Sequence, residues 1–417
     1  MRIAAYVLSF LTLILNGSLF VRLKPPYSFY FVAPQVMAAA LSPFLAILGG
    51  AGAVLGWLFH APVAFAAGVL GAAVSIVYMV LVTIPQPGFA EAFGKDWESR
   101  IPPSQESRMI KRRWQIGLPK TQDPHLEQDI AFWTIPGTDR KLLCDLWQPP
   151  DGIEHSGLAL VYLHGSGWYA LDKDMGTRPL FRQLTSQGHV VMDVSYRLLP
   201  EVDVYGMVGD VKRAVAWMKD NAGRYGVNPE RIVLGGGSAG GHLALLAAYA
   251  PDHLRLTPPE LEGRDLLVRA VVSLYGPTDL RACYDHLAQT RLIGLPKEEI
   301  GQPGAATMEK KLWDAGRLDT LLGGHLHEVP EAYALASPVT HADAGSPPTL
   351  QIQGTPDVIA PVAATRELHD CLVKNGVLAV NITYPMTNHA FDLILPQVSP
   401  AAQSAVYYLE RFLALMV

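Results

Sequence analysis

The sequence predicts an α/β protein with a mostly parallel sheet covered by helices on both faces, preceded by membrane-spanning helices. Three observations carry this prediction. From Pro25 to Ala90 the chain contains no Asp, Glu, Lys or Arg. From Gln128 onward, short apolar runs alternate with helical stretches, which is the pattern of strands and helices in a parallel sheet. The glycine-rich stretch from Gly236 to Gly240 surrounds a single serine between one such run and one such helix.

The charge-free block is long enough for transmembrane helices, each of which needs about 20 apolar residues. Residues 1–85 are therefore predicted to be a transmembrane region of about three helices, and the second and third helices should form a tight hairpin. Pairs of small residues four positions apart, such as Gly52 and Gly56, would let helices approach closely in lipid, or they simply reflect a Gly/Ala-rich composition. The predicted spans are residues 3–21, 36–59 and 61–84.

The first of these spans has two interpretations. Polar residues interrupt it, as in a cleaved signal peptide, but its apolar stretch exceeds the roughly 7–15 residues of a signal sequence and no small-residue cleavage site follows. We interpret it as a retained span. Arg22 and Lys24 then lie on the same side of the membrane as Lys95 and Arg100, and the positive-inside rule predicts that the large C-terminal domain is cytoplasmic.

The remaining composition limits the possible functions. Charged residues make up 17% of the chain and the net charge is −5, which gives no reason to expect a nucleic-acid partner. Cys144, Cys283 and Cys371 are widely spaced, so the sequence predicts neither a disulfide framework nor a metal site. Residues 86–125 are predicted to be a juxtamembrane linker, whose Trp97 and Trp114 would rest on lipid headgroups or pack as ordinary linker aromatics.

Residues 126–417 are predicted to form one α/β domain. The first two apolar runs are separated by a turn and should form a hairpin at an edge of the sheet. Between Asp279 and Ala344 a long irregular insertion is expected to form a cap, in which Leu292, Leu312 and Trp313 would line an acyl pocket or form the cap's own core. The predicted strands are residues 130–135, 141–147, 158–165, 189–196, 231–237, 269–276, 349–354 and 378–385.

The serine at the centre of the glycine-rich stretch is the candidate nucleophile. Gly236 and Gly240 flank Ser238 at a distance of two residues, which is the G-x-S-x-G pattern of a nucleophile elbow between a strand and a helix. Such a turn is so sharp that side chains at the two glycine positions would collide. The serine then projects at the carboxyl end of the sheet, beside helix N–H groups that favour developing negative charge.

A serine nucleophile needs a base and a carboxylate that orients the base. Asp357 follows one predicted strand and His389 follows the next, so both should project at the same edge of the sheet as Ser238. The chain order of serine, then aspartate, then histidine is the order found in hydrolases whose nucleophile lies on a strand-to-helix turn. We therefore expect these three residues to form a catalytic triad. The rivals are His341, His369, Asp343 and Asp392.

A tetrahedral intermediate also needs hydrogen-bond donors for its oxyanion. The small-residue turn that begins with His164 and Gly165 directly follows a predicted strand, and it can aim backbone N–H groups at the reacting carbonyl. The N–H of Ala239, which follows the nucleophile, would join them. A plain glycine turn is the alternative interpretation.

Several motifs, in order, resemble those of the hormone-sensitive-lipase-like esterases, an α/β-hydrolase family. They are HGSGW, DVSYRLLPE, GGGSAGG, YGPTDL, QGTPDV and NHAFD, and the resemblance extends from Gln128 to Val417. It implies a serine esterase or lipase that needs no cofactor, with Ser166, Gly167 and Ala239 as oxyanion-hole donors. The sequence departs from the family where Ser166 replaces a usual glycine and Gly237 replaces a frequent aspartate.

The leading hypothesis from the sequence is a membrane-anchored serine hydrolase that cleaves carboxylic esters through an acyl-enzyme intermediate. The expected partners are a small, hydrophobic ester and membrane lipid. Three alternatives remain. An amidase or formamidase would use the same triad, a prenylcysteine-methylesterase-like enzyme would combine membrane spans with a similar domain, and a non-catalytic hydrolase-fold module would serve in binding.

Overall fold

Eight strands form one twisted sheet in the computed structural model, which describes residues 1–22, 27–165, 167–288 and 318–417. The spatial order is β1-β2-β4-β3-β5-β6-β7-β8. β1 and β2 pair antiparallel as an edge hairpin, β2 is antiparallel to β4, and the other neighbouring strands are parallel. All eight predicted strands are thus confirmed. Their bounds are β1 His125–Thr134, β2 Lys141–Gln148, β3 Ala159–Leu163, β4 Val190–Val194, β5 Ile232–Gly237, β6 Ala270–Leu274, β7 Thr349–Gly354 and β8 Ala379–Tyr384.

Helices precede the sheet, connect its strands and cover both of its faces. The four N-terminal helices are α1 Arg2–Ser18, α2 Tyr27–Ala40, α3 Ser42–Leu58 and α4 Pro62–Thr83. The others in the described residues are α5 Gly88–Phe93, α6 Pro103–Glu106, α7 Arg178–Thr185, α8 Val204–Asn221, α9 Ala239–Tyr249, α10 Leu280–Ala288, α11 Leu318–Leu322, α12 Pro330–Leu335, α13 Pro338–His341, α14 Val362–Lys374 and α15 Pro400–Leu415. Of the cap proposed from the sequence, residues 289–317, including Leu292, Leu312 and Trp313, lie outside the described residues.

The sheet divides the hydrophobic core into two layers. Alternate side chains of the fully buried strand β3 point to opposite faces, as the pleat requires. Val161 and Leu163 join the layer under α8 and α9, whereas Leu160 and Tyr162 join the layer under α7 and α15. Because both faces are covered, the central parallel strands such as β3 and β6 are almost continuously apolar.

The N-terminal helices reverse the usual burial pattern. Small and polar side chains, including Ser9, Thr12 and Asn16 of α1, are buried where α1, α3 and α4 meet. Large apolar side chains such as Ile14 and Trp57 point outward, with 69% and 68% of their surfaces exposed. At the centre, the side-chain amide of Asn16 donates to the hydroxyl of Ser75 at 2.8 Å. The bundle is therefore polar inside and apolar outside.

The helices differ from the three predicted spans. Where the sequence predicts one span over residues 36–59, the chain forms α2 and α3, bent by 79° at Leu41. Pro43 in the first turn of α3 favours a new helix start here, because its missing N–H and its ring disfavour continuation of the preceding helix through this position. Within the described chain, one helix, which begins at Pro62, is long and apolar enough to cross a membrane by itself, and α2 with α3 adds a second crossing only as a broken span.

The predicted linker is also different in the structure, because much of residues 86–118 packs against the α/β domain. The side-chain amide of Gln86 both donates to and accepts from the backbone of Thr383, which lies on the edge strand β8. The ring of Phe89 packs at a tilt against Trp97 and stacks on Tyr408 of α15, with ring centroids 4.8 and 5.5 Å apart. The edge strand β8 would otherwise present unpaired backbone groups, and α15 would expose aromatic side chains. Residues 86–118 cover both.

Candidate active site

Ser238 lies in a strained turn between β5 and α9. Its backbone dihedrals are φ 53° and ψ −122°, a conformation that side-chain-bearing residues rarely adopt. A Cβ atom on Gly236 would lie 2.5 Å from the carbonyl oxygen of Leu163 and 2.6 Å from the carbonyl carbon of Gly240. Only glycine fits at this position, and the structure thus supplies the steric reason for the G-x-S-x-G spacing.

The hydroxyl of Ser238, the imidazole of His389 and the carboxylate of Asp357 form a continuous hydrogen-bonded chain. Ser238 Oγ lies 2.8 Å from His389 Nε2, and His389 Nδ1 lies 2.8 Å from Asp357 Oδ2. The other oxygen, Asp357 Oδ1, accepts hydrogen bonds from the backbone N–H groups of Ile359 and Ala360 at 2.8 and 2.9 Å. Asp357 and His389 are buried, whereas Ser238 keeps part of its surface open. Three separate strand ends therefore bring the three predicted residues together.

The loop after β3 packs directly on the nucleophile turn. A Cβ atom on Gly165 would lie 2.8 Å from the carbonyl oxygen of Gly237 and 3.1 Å from the Cβ of Ser238. Gly167 has φ 62°, which favours glycine, and Ser166 lies outside the described residues. The N–H of Ala239 is the first of helix α9, where N–H groups have no partner within the helix.

His164 supports this loop through its ring and its backbone carbonyl. Its ring stacks on Tyr196 with centroids 4.5 Å apart, and the hydroxyl of Tyr196 donates to the carbonyl oxygen of His164 at 2.8 Å. Burial lowers the pKa of His164 to about 4, so the ring is neutral at physiological pH. The sequence identified this histidine as part of the motif.

Trp168 ties the same loop to the helix behind the nucleophile. Its indole N–H donates to His242 Nδ1 at 3.3 Å, and His242 Nε2 lies 2.8 Å from the carbonyl oxygen of Ala336. This pairing requires the neutral histidine with its proton on Nε2. Burial lowers the pKa of His242 to about 4, which favours that neutral form. Sequence reasoning missed the role of His242, because its partners lie 74 and 94 residues away.

Tyr275 is a second residue that sequence reasoning missed. Its ring lies against that of His389, with centroids 4.6 Å apart, and its hydroxyl donates to the half-buried carboxylate of Asp392. Burial raises the pKa of Asp392, and it raises the pKa of the Tyr275 hydroxyl well above its usual value. The aromatic ring limits the positions open to the imidazole of His389.

The rival residues considered from the sequence have other partners. Asp392 bonds Tyr275, and His341 Nε2 lies 2.8 Å from the carbonyl oxygen of Leu335. His369 lies on α14 next to Asp370, and the side chain of Asp343 accepts from the backbone N–H of Gly345. Each rival therefore has a structural explanation.

Comparison with known proteins agrees with this architecture. The BD-FAE family model matches residues 144–372, a range that includes Ser238 and Asp357 and ends before His389. The chain is 33% identical over 275 residues to the probable carboxylic ester hydrolase LipM of Mycobacterium tuberculosis, covering 65% of this chain and 57% of that protein. It is 27% identical over 309 residues to the esterase LipQ of the same organism, covering 73% of this chain and 68% of that protein.

Two solved structures share the fold. An esterase from Thermogutta terrifontis with propionate bound is 23% identical, with a TM-score of 0.51 over 71% of this chain and 95% of that chain. A truncated carbohydrate esterase from gut microbiota is 22% identical, with a TM-score of 0.53 over 71% of this chain and 99% of that chain. At these identities the likeness concerns the α/β-hydrolase fold. Since the family model covers more than half of the residues, the chain belongs to the BD-FAE family of hormone-sensitive-lipase-like α/β-hydrolases.

Proposed function

We propose that the protein is a serine hydrolase that cleaves carboxylic esters, with Ser238 as nucleophile, His389 as base and Asp357 as the orienting carboxylate. The observation that carries the proposal is the unbroken chain of two 2.8 Å hydrogen bonds from Ser238 Oγ through the imidazole to Asp357 Oδ2. Two M. tuberculosis relatives bear names of ester hydrolases, which supports the same reaction class.

The reaction proceeds through an acyl-enzyme. Ser238 Oγ bonds to the carbonyl carbon of the ester while its proton moves to His389 Nε2. The C–O bond to the alcohol then breaks, and His389 returns the proton to the departing oxygen. A water molecule attacks the acyl carbon, again giving a proton to His389, and the bond to Ser238 Oγ breaks as that proton returns to the serine. The products are the alcohol and the carboxylic acid.

The oxyanion of each tetrahedral intermediate would be stabilised by backbone N–H groups. We assign this role to Gly167 and Ala239, together with Ser166, as expected from the sequence. Close packing of Gly165 on the nucleophile turn supports the assignment, because it places the glycine loop next to the turn from which α9 starts. Preorganised donors of this kind are worth about 2.7–4 kcal/mol each in a serine hydrolase.

We further propose that the N-terminal helices anchor the enzyme in a membrane and that its substrate is a hydrophobic ester. The apolar exterior of α1, α3 and α4 suits lipid, and their buried small and polar residues suit helix packing in lipid. Arg2 Nη2 donates to the carbonyl oxygen of His60 at the far end of the bundle, whereas Tyr78 near the end of α4 contacts the catalytic domain. The positive-inside rule then favours a cytoplasmic catalytic domain.

A fluorophosphonate probe tests the nucleophile. The detergent-solubilised protein should be labelled, and Ser238→Ala should abolish labelling and ester hydrolysis while preserving the unfolding temperature. Ser186→Ala is the matched control, because that hydroxyl only donates to the carbonyl oxygen of Gln183 and should leave labelling intact. Undiminished labelling of Ser238→Ala would refute the assignment. A series of p-nitrophenyl esters and anilides would then separate esterase from amidase activity and show whether longer acyl chains are preferred.

Protease accessibility tests the orientation. Protease added to intact spheroplasts should leave the catalytic domain uncut, and lysis should expose it to digestion. Cleavage in sealed spheroplasts would overturn the cytoplasmic orientation and would favour a cleaved first segment.

A further inference from the structure

The loop that carries the catalytic histidine is bonded to the N-terminal helices. The side-chain amide of Asn388 donates from Nδ2 to Oε1 of Gln35, which lies on α2, at 2.7 Å. Both residues are buried, with 5% of Gln35 and 1% of Asn388 exposed. A buried amide pair of this kind excludes water and fixes both side chains.

Gln35 is itself held by the end of α1. Its Nε2 atom donates to the carbonyl oxygens of Ser18 and Val21, each at 3.0 Å. Carbonyl groups at a helix end have no partner within the helix, so they are natural acceptors for such a side chain. Both N–H groups and the carbonyl oxygen of the Gln35 amide are therefore engaged, and the side chain has one well-defined orientation.

Asn388 transmits this constraint to both partners of the nucleophile. Its Oδ1 atom accepts a hydrogen bond from the backbone N–H of His389 at 2.7 Å. The same oxygen accepts from the backbone N–H of Val358 at 3.3 Å, directly after Asp357. One side chain thus joins the loop of the catalytic histidine to the loop of the catalytic aspartate.

A second contact joins the same loop to another helix. The hydroxyl of Tyr78, on α4, lies 3.1 Å from the hydroxyl of Thr387, and both side chains are buried. Two consecutive residues before His389 are therefore bonded to helices that precede the sheet by more than 40 residues.

We propose that Gln35 is a positioning residue for the reaction, acting through Asn388 on the loop of His389. The N-terminal helices then complete the active site in addition to anchoring the chain. The inference rests on the proposed function, because it concerns the same triad. Positional errors of about 1 Å at a reacting group can slow catalysis about 100-fold, which is the physical reason for a constraint so close to the imidazole.

Gln35→Leu tests the proposal in the full-length, detergent-solubilised protein. The substitution keeps the size of the side chain and removes its acceptor, which leaves the Asn388 amide without its partner. We expect kcat for a p-nitrophenyl ester to fall about 10- to 100-fold while KM changes little. The rate should be expressed per molecule able to react with the fluorophosphonate, so that a poorly folded fraction does not count.

Gln86→Leu is the matched control. Gln86 also precedes the sheet and also bonds the α/β domain, but its partner is the backbone of Thr383 on β8. It should lower the unfolding temperature without the loss of kcat. An equal loss of kcat in both variants would show general destabilisation and would overturn the proposal.

A double-mutant cycle separates positioning from structure. If Gln35 acts through Asn388, Gln35→Leu should reduce kcat in the wild type but have little further effect in Asn388→Ala. In its protonated form, Gln35→Glu keeps an acceptor for Asn388 and one donor for the carbonyl oxygens of Ser18 and Val21, so its kcat should lie between those of Gln35→Leu and the wild type. Additive losses in the cycle, or a Gln35→Leu enzyme with wild-type kcat, would overturn the proposal. Absence of fluorophosphonate labelling in the wild type would instead refute the proposed function.

Discussion

The carboxylate of Glu410 accepts a hydrogen bond from the backbone N–H of Ile110 at 2.9 Å, and the guanidinium of the next residue, Arg411, donates to the carbonyl oxygen of Ile110 at 3.1 Å. Two consecutive side chains of α15 therefore form hydrogen bonds with the N–H and the carbonyl oxygen of the same residue. The amides of Gln183 and Gln187 also donate to Glu410, whose side chain is fully buried. The segment before β1 thus belongs to the folded α/β domain.

These hydrogen bonds to Ile110 predict different stabilities for two truncated chains. A chain that starts at Arg113 loses Ile110, and the buried carboxyl group of Glu410 then lacks a hydrogen-bond partner, which costs about 1–3 kcal/mol. It also loses Phe89 and Trp97, which cover the aromatic face of α15. We expect that chain to aggregate or to unfold at a markedly lower temperature than a chain that starts at Gln86. Thermal unfolding of the two proteins measures the difference.

Equal unfolding temperatures for the two truncated chains would show that the segment only rests on the domain. The domain boundaries predicted from the sequence treat residues 86–125 as a linker, and they therefore predict equal unfolding temperatures. Under the inference about Gln35, both truncated chains should also have low kcat, because neither retains α2.

Close packing of the nucleophile turn predicts that alanine is tolerated poorly at Gly240 but well at Gly223, which lies elsewhere in the chain. A Cβ atom on Gly240 would collide with the carbonyl group of Leu163, and it would lie 2.7 Å from the carbonyl oxygen of His164. Gly240→Ala should therefore destabilise the protein by about 1–3 kcal/mol and reduce ester hydrolysis. Gly223→Ala is the control, since a Cβ there has open space within 4 Å. Comparable unfolding temperatures for the two variants would contradict the steric argument.

Much of the α/β domain could be predicted from the sequence because its signals are local. Apolar runs such as residues 158–165 are buried on both faces, so composition alone marks them as strands. Ser238, Asp357 and His389 each follow a strand, and the parallel topology brings strand ends to one edge. Their approach to hydrogen-bonding distance follows from the fold.

The contacts of Gln35, Ile110 and Tyr275 could not be predicted in the same way. Gln35 and Asn388 are 353 residues apart, and although Asn388 lies in the NHAFD motif, nothing in the sequence pairs that motif with Gln35. The break at Leu41 was missed because the apolar composition continues across it, so that hydropathy suggests one helix. Polar contacts between distant segments depend on tertiary packing, which a single sequence does not encode in a readable form.

Asp193 predicts how stability depends on pH. Its carboxylate is buried on β4 opposite Asp145 of β2, and it accepts from the backbone N–H of Asp174 at 2.6 Å. Lys173, the nearby positive charge, forms ion pairs with Asp145 at 2.9 Å and with Asp129 at 2.8 Å. It therefore stabilises a negative charge on Asp193 only weakly. Burial raises the pKa of Asp193 to about 8.

The sign follows from linkage. In the folded state Asp193 keeps its proton up to about pH 8, whereas in the unfolded chain it loses the proton near pH 4. The contribution of this group to the free energy of unfolding is therefore complete below pH 4 and is lost as the pH rises to 8. Over that window the loss is at most about 1.4 kcal/mol per pH unit. Asp193→Asn should therefore show a smaller fall in unfolding temperature between pH 5 and pH 8 than the wild type. Asp139→Asn, on an exposed turn, should keep the wild-type slope, and an unchanged slope in Asp193→Asn would refute the prediction.

The helix bundle predicts that two nearby glycines of α3 differ in their tolerance of valine. A Cβ atom on Gly52 would collide with the hydroxyl of Ser9 and lie 2.9 Å from the backbone nitrogen of the same residue, so it would force α1 away from α3. A Cβ on Gly50 would meet nothing within 4 Å. Because both substitutions place the same β-branched residue in the same helix, their effects on helix propensity cancel.

We expect Gly52→Val to destabilise the detergent-solubilised protein by about 1–3 kcal/mol relative to Gly50→Val, as overpacking does in other cores. The separation of α1 from α3 should also reach the active site, since the last residue of α1, Ser18, and the following Val21 supply the carbonyl oxygens that orient Gln35. Gly52→Val should therefore lower kcat as well as the unfolding temperature, and Gly50→Val should lower neither. A Gly52→Val protein that unfolds at a lower temperature but keeps full kcat would show that the bundle and the catalytic loop are independent.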